Sequence, residues 1–345
     1  MEGRLRMDAE RWTKGVTSGP VASPPRCRRL RGRSRLGATL ALMGMLGVTL
    51  ALAGLPVLLA SGPAEVRAQD ATHLLVAGDI ATCDSQDDEA TAKLLDDRAG
   101  TVAALGDTVY ESGSRREFKR CYAPTWGRHK KRTRPAAGNH EYNTAGAAGY
   151  FDYFGRRAGP RGKGYYSYQL GDWHVVVLNS QLDSGTAQQA QEDWLKKDLA
   201  ANRGTTCTLA YWHHPHYSSG HNAIVAGESQ VSVELYEPAA VKRYFQLLYD
   251  KGAEIVLSGH KHNYERFAPQ DANGNLRAEN GVRQFVVGTG GRSTGGFDQI
   301  QKNSEVRNGD TFGILDLTLR SDGYDWTFVP VAGKTFTDAG SGSCH

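Results

Sequence analysis

Four short apolar runs in this chain each stop at a carboxylate or an imidazole. His73–Ala77 (H-L-L-V-A) stops at Gly78-Asp79, Val102–Leu105 at Gly106-Asp107, Thr208–Trp212 at His213, and Glu254–Leu257 at Ser258-Gly259-His260. Each run is too short for a helix and is flanked by turn-forming residues, so buried strands are expected. Helical patterns lie between them, at Glu89–Asp97, Gln188–Leu199, and Ala239–Tyr249 after Pro238. That alternation is the signature of parallel strands joined by crossover helices, an α/β fold. Two hairpins interrupt it: Tyr165–Asn179 with its turn at Gly171-Asp172, and Phe312–Val331 with its turn at Asp322-Gly323. A mixed fold with two sheets follows. Two long segments, the Lys/Arg-rich Glu111–Gly138 and the Ser/Gly-rich Tyr217–Glu237, are of the length at which loops tend to border a site.

The first 68 residues read differently. Residues 1–35 are basic and irregular, Leu36–Ala60 is an uncharged Leu/Ala-rich run, and S-G-P-A-E-V-R-A follows. Positive region, apolar region and small-residue site, in that order, define an export signal, with cleavage expected after Ala68. Arg28-Arg29 gives a weak twin-arginine cue. The apolar run is long enough to span a bilayer, so the alternative is an uncleaved membrane anchor. This leader carries 11 Lys/Arg against 4 Asp/Glu, and it dominates the overall charge of +4; residues 69–345 carry 30 against 33. A balance of −3 argues against nucleic acid as a stable partner. About 275 residues suffice for one large domain with a sizeable core. Beyond Cys27 in the leader, Cys83, Cys121, Cys207 and Cys344 remain, an even number in a chain with an export pattern, so two disulfides are expected. Of three pairings, Cys83–Cys121 with Cys207–Cys344 is the one adopted.

In α/β sheets ligands sit beyond the carboxyl ends of strands. Five segments at such ends carry metal-type side chains: Asp79 in G-D-I-A, Asp107 and Tyr110 in G-D-T-V-Y, Asn139 and His140 in G-N-H-E, His213 in W-H-H-P-H-Y, and His260 and His262 in G-H-K-H. Their order resembles the metallophosphoesterases and, within them, the purple acid phosphatases. Further resemblance comes from P-T-W-G (124–127), W-H-V-V-V-L-N-S (173–180), G-H-K-H-N-Y-E-R (259–266) and V-G-T-G-G (287–291). One block alone is weak; five in order are specific. The resemblance implies a four-layer α/β/β/α sandwich of two mixed sheets flanked by helices, formed by residues 69–345 as a catalytic domain only.

The resemblance also implies a pair of metal ions bridged by Asp107. Asp79, Asp107, Tyr110 and His262 would hold the first, and Asp107, Asn139, His213 and His260 the second. Many metallophosphoesterases have D-x-H in the first block, whereas here Asp79 is followed by Ile80 and Ala81. Tyr110 would supply the missing ligand, and its phenolate, a hard anionic donor, points to iron at that site; the second ion could be Fe, Zn or Mn. The implied reaction is hydrolysis of small phosphorylated substrates by a metal-activated hydroxide. His140 would stand beside the leaving oxygen, with His216 or His221 assisting.

Taken singly, these residues have ordinary uses. An Asp after a strand caps turns, a Tyr packs with its tip hydrogen-bonded, and a His is as often structural as ligating. The basic run Arg128–Arg134 reads first as a solvated loop face and only second as an attractor of phosphorylated substrates. Ala81, where the first block usually has glycine, requires a backbone with negative φ. The leading expectation is an exported phosphomonoesterase. Its alternatives are a phosphodiesterase acting on nucleotides or lipid head groups, and a surface protein that binds metal or phosphate without turnover.

Overall fold

The computed structural model describes residues 72–221 and 238–345. The leader with its expected cleavage point at Ala68, and most of Tyr217–Glu237, lie outside the described residues. Thirteen strands form among the described residues: β1 Thr72–Ala77, β2 Thr101–Leu105, β3 Thr133–Ala136, β4 Tyr166–Leu170, β5 Trp173–Val177, β6 Cys207–Tyr211, β7 Ile255–Ser258, β8 Tyr264–Phe267, β9 Arg283–Val287, β10 Ser304–Asn308, β11 Gly313–Arg320, β12 Gly323–Pro330 and β13 Ala339–Ser343. The α-helical segments are α1 Asp87–Asp96, α2 Arg115–Glu117, α3 Asn139–Tyr142, α4 Ala148–Phe154, α5 Gly185–Ala201 and α6 Ala239–Tyr249.

Two mixed sheets result. One runs β13-β12-β11-β1-β2-β3, the other β10-β8-β9-β7-β6-β5-β4. Parallel pairing is confined to β1-β2-β3 in the first and β5-β6-β7-β9 in the second, and hairpin-type antiparallel strands flank both. Burial follows the two-residue period of a strand. Val175 and Val177 of β5, Leu209 and Tyr211 of β6, and Ile255 and Leu257 of β7 belong to the core shared with the first sheet. The intervening Val176, Ala210 and Val256 face a second core with Leu195 and Leu199 of α5 and Val241, Tyr244, Phe245 and Leu248 of α6. The α6 residues recur at the spacing of one helix face, and each buried apolar side chain is worth roughly 1.5–3 kcal/mol. On the first sheet the helix-side layer comes from Ala92, Leu95, Phe118, Trp126 and Phe154. The four layers expected from the motifs are therefore present, as two mixed β-sheets between helical layers.

Several boundaries differ from the sequence reading for identifiable reasons. The second hairpin turns at Ser321-Asp322, because Gly323 already pairs with Arg320 as the first residue of β12. Gly323 answers to crowding instead: a Cβ there would lie 2.4 Å from the Gly342 carbonyl oxygen on β13. Within Glu111–Gly138, expected as loop, β3 forms as an edge strand that tolerates Pro135. The basic run serves structure. Arg128 pairs with Glu89 (2.6 Å) and Asp96 (2.8 Å) of α1, and Arg132 donates to the carbonyls of Gly100 and Leu95. Disulfides join Cys83 to Cys121 and Cys207 to Cys344, the expected pairing. No helix among the described residues is long and apolar enough to cross a membrane.

Candidate metal centre

The parallel strands deliver their C-terminal loops to one place. Asp79 follows β1, Asp107 and Tyr110 follow β2, Asn139 and His140 open α3 after β3, His213 follows β6, and His260 and His262 follow β7. The turns are tight in an unusual way. Asp79, Asp107 and His260 themselves hold positive φ, at 58°, 46° and 69°, a region costing on the order of 1 kcal/mol for a residue with a side chain. The preceding glycines mainly provide clearance: a Cβ on Gly259 would lie 2.6 Å from Asp79 Oδ2, and one on Gly138 would lie 2.2 Å from Asp107 Oδ1. Ala81 keeps negative φ and bridges to Val109, so its methyl group is accommodated.

Around Tyr110 the donors crowd together. Its hydroxyl lies 2.9 Å from Asp79 Oδ1, 3.1 Å from Asp107 Oδ2 and 3.1 Å from His262 Nε2. One hydroxyl proton cannot serve both carboxylates. Burial, then the charges of Asp107 and Asp79, push the phenol well above its ordinary value of 10. The ring therefore stays neutral unless a cation bonds its oxygen directly. On the far side of His262, Nδ1 meets Ser293 Oγ at 2.5 Å, which fixes the ring with Nε2 toward the cluster.

The second half is built from imidazoles. His213 Nδ1 donates to the Leu105 carbonyl (2.9 Å), so in the neutral ring Nε2 is a bare lone pair. That lone pair faces Asp107 Oδ2 at 3.2 Å, Asn139 Oδ1 at 3.0 Å and His260 Nδ1 at 3.3 Å. Burial works against protonating His213, but the charge and hydrogen bond of Asp107 and the charge of Asp79 outweigh it and push the ring up to about 9. Burial likewise opposes ionisation of Asp107, and the His213 and His140 charges with their hydrogen bonds overcome it, holding the carboxyl well below the usual range. Burial, then the neighbouring His214 and His213, drive His260 well below 6.5 and keep it a neutral donor. Ligand atoms of Asp79, Asp107 and His213 lie within 4.8 Å of one another, as do those of His213, His214 and His260. Oxygen and nitrogen donors so concentrated fit cations held by a mixed donor set, and a cation there would take the place of the proton that Asp107 otherwise favours on His213.

A supporting shell orients these groups. Glu141, fully buried, accepts the backbone N–H groups of Asp107 (2.9 Å), Gly138 (2.7 Å) and Thr108 (2.7 Å) and the Thr108 hydroxyl (2.7 Å). Asp107 Oδ1 in turn accepts the His140 N–H at 2.8 Å. The His140 ring lies 4.2 Å from the Tyr110 ring, with Nδ1 on the Glu111 carbonyl (2.7 Å) and Nε2 3.9 Å from Asp107 Oδ2. His214 turns Nδ1 to Ser180 Oγ (2.8 Å), while its ring packs 4.4 Å from His260. The contacts of His216 and His221 lead elsewhere. His216 Nε2 meets the Ala272 carbonyl and packs on Phe245, and His221 Nδ1 lies 3.3 Å from Asp298. Sequence reasoning gave Glu141, Ser293 and Arg292 no role; the only cue was the Glu that closes G-N-H-E.

A family model described as "Calcineurin-like phosphoesterase" matches residues 64–264, and the chain belongs to the calcineurin-like phosphoesterase family. Within that family it is similar to purple acid phosphatases. Purple acid phosphatase 15 of Arabidopsis thaliana is 36% identical over 112 residues, 32% of this chain and 19% of that protein. Purple acid phosphatase 18 of the same plant is 30% identical over 140 residues, 40% of this chain and 29% of that protein. The matched stretches thus span less than a third of these relatives. The structure of purple acid phosphatase PPD1 from yellow lupin (Lupinus luteus) seeds shares the fold, with a TM-score of 0.58 at 20% identity, covering 79% of this chain and 53% of that one. GAP50, the anchor in the inner membrane complex of Plasmodium, also scores 0.58 at 14% identity, covering 78% and 88%.

Proposed function

We propose that this protein is an exported phosphoric monoester hydrolase of the purple acid phosphatase type, with two metal ions bridged by Asp107. One observation carries the reading: the Tyr110 hydroxyl within 3.1 Å of Asp79, Asp107 and His262. Asp79, Asp107, Tyr110 and His262 would hold one ion, iron being the best match to a phenolate; Asp107, Asn139, His213 and His260 would hold the other, as Fe, Zn or Mn. When bound, such a pair supplies Lewis acidity toward phosphoryl oxygens and acidifies water near neutral pH. The chain's own residues do the rest. Gly259 lets the turn after β7 close on Asp79, Gly138 lets the turn after β3 close on Asp107, and the buried Glu141 ties the Asp107 and Gly138 backbones together. His140 gives its Nδ1 proton to the Glu111 carbonyl. A proton for the leaving oxygen therefore comes from Nε2, and only while the ring is doubly protonated. No assisting role is assigned to His216 or His221. Export rests on the leader pattern, with removal after Ala68, and is consistent with two disulfides.

The test is metal analysis of the purified protein with its visible spectrum. A tyrosinate-to-iron band lost in Tyr110→Phe is expected; two non-iron metals with full activity would remove the iron assignment alone. His140→Ala is expected to keep its metals and lose about a hundredfold in kcat on aryl phosphates. Undiminished turnover in that variant would defeat its assigned role. Higher kcat/KM on diesters than on monoesters would shift the reading to a phosphodiesterase.

A further inference from the structure

The turn after β9 carries a cation that the proposed chemistry does not use. Arg292 donates its backbone N–H to the Asp79 carbonyl at 3.0 Å. Its guanidinium carbon lies 4.9 Å from the centre of the Tyr110 ring, and one terminal nitrogen donates to Glu111 Oε1 at 2.5 Å. The side chain is only 11% exposed, and its Nε is buried with no hydrogen-bond partner. Glu111 follows Tyr110 directly, and its carbonyl accepts from both His140 Nδ1 and Asn143 Nδ2. Ser293, which directly follows Arg292, is the residue that orients His262.

An ordinary surface ion pair would not look like this. Glu111 is 55% exposed, so an arginine needed only for that partner could meet it in water with its charge hydrated. Here the guanidinium is drawn inward and gives up a hydrogen bond at Nε to lie against a phenol. A planar cation over an aromatic ring is attracted by the ring's electrons, and low local polarity strengthens the field it exerts there.

We infer that Arg292 is a positioning residue for Tyr110: clamped by Glu111 against the ring, it fixes the ring's approach to the oxygen cluster and lowers the energy of the electrons the phenol oxygen can share with a bound ion. The inference rests on the metal-centre reading proposed above. Lysine is a poor substitute, since it lacks the planar group that stacks and reaches Glu111 together.

The experiment loads the full-length apoprotein with ferric iron and zinc. Metal content, visible spectrum, and kcat and KM for p-nitrophenyl phosphate are then compared in the parent, Arg292→Leu, Arg292→Lys, Glu111→Gln and Tyr110→Phe. In Arg292→Leu the charge-transfer band should move to longer wavelength, with metal content and KM nearly unchanged and kcat lower by about tenfold. Arg292→Lys and Glu111→Gln should move the band the same way by less, and they carry the test if the leucine variant does not fold. A band that vanishes in Tyr110→Phe but keeps its position in every Arg292 and Glu111 variant overturns the role of Arg292 alone. A parent spectrum indifferent to Tyr110→Phe overturns the metal-centre reading, and this inference with it.

Discussion

Strain and satisfaction are paired at the residue scale. Asp79, Asp107 and His260 hold positive φ where a non-glycine residue is disfavoured, and surrounding hydrogen bonds keep them there. The His260 N–H donates to Asp79 Oδ2 at 2.8 Å, and the Asp107 N–H donates to Glu141. All four partners of Glu141 are donors. Glu141→Gln would turn an NH₂ group toward N–H groups, and it is expected to cost about 2–4 kcal/mol in chemical denaturation despite its identical shape. Metal occupancy should fall in the same variant. The proposed ligands could be placed from the sequence because each stands just past a strand end with a recognisable side chain. Glu141, Arg292 and Ser293 were not, because their partners are chosen by packing: Arg292 and Glu111 are 181 positions apart, and no periodicity encodes that contact.

At the scale of elements, length and alternation gave β1, β2, β6, β7 and α6 to within a residue or two. β3 escaped because a four-residue edge strand containing a proline has neither the apolar run nor the alternation that marks a strand. An unusual group sits where β6 and β7 begin. Glu254, just before β7, accepts the Thr208 N–H at 2.6 Å, and burial, opposed by that bond, raises its carboxyl to about 7. The folded chain therefore holds a proton between the ordinary 4.5 and about 7 that the unfolded chain has released. Stability from this group is greatest below about 4.5 and declines as pH rises to about 7, by at most about 3 kcal/mol. Glu254→Gln should flatten that decline, as read from denaturation midpoints at pH 5 and pH 8. An unchanged slope would show that the proton is held elsewhere.

For the whole molecule, the division of the proposed ligands matters. Asp79, Asp107, Tyr110 and Asn139 extend from the first sheet, and His213, His260 and His262 from the second. Ions bound between them would stabilise the native state by mass action, and chelation is expected to lower Tm by about 5 °C or more. A scan that is the same with and without chelator would argue against ligands drawn from both sheets. Cys207 begins β6 in one sheet and bonds Cys344, just past β13 in the other, a closure of 137 positions worth roughly 3–5 kcal/mol. β6 is thus fastened by sulfur where it starts, and with ions bound it would be fastened again at His213, just past where it stops. If each link by itself holds the two sheets together, chelator and reductant together should lower Tm by more than their separate effects added.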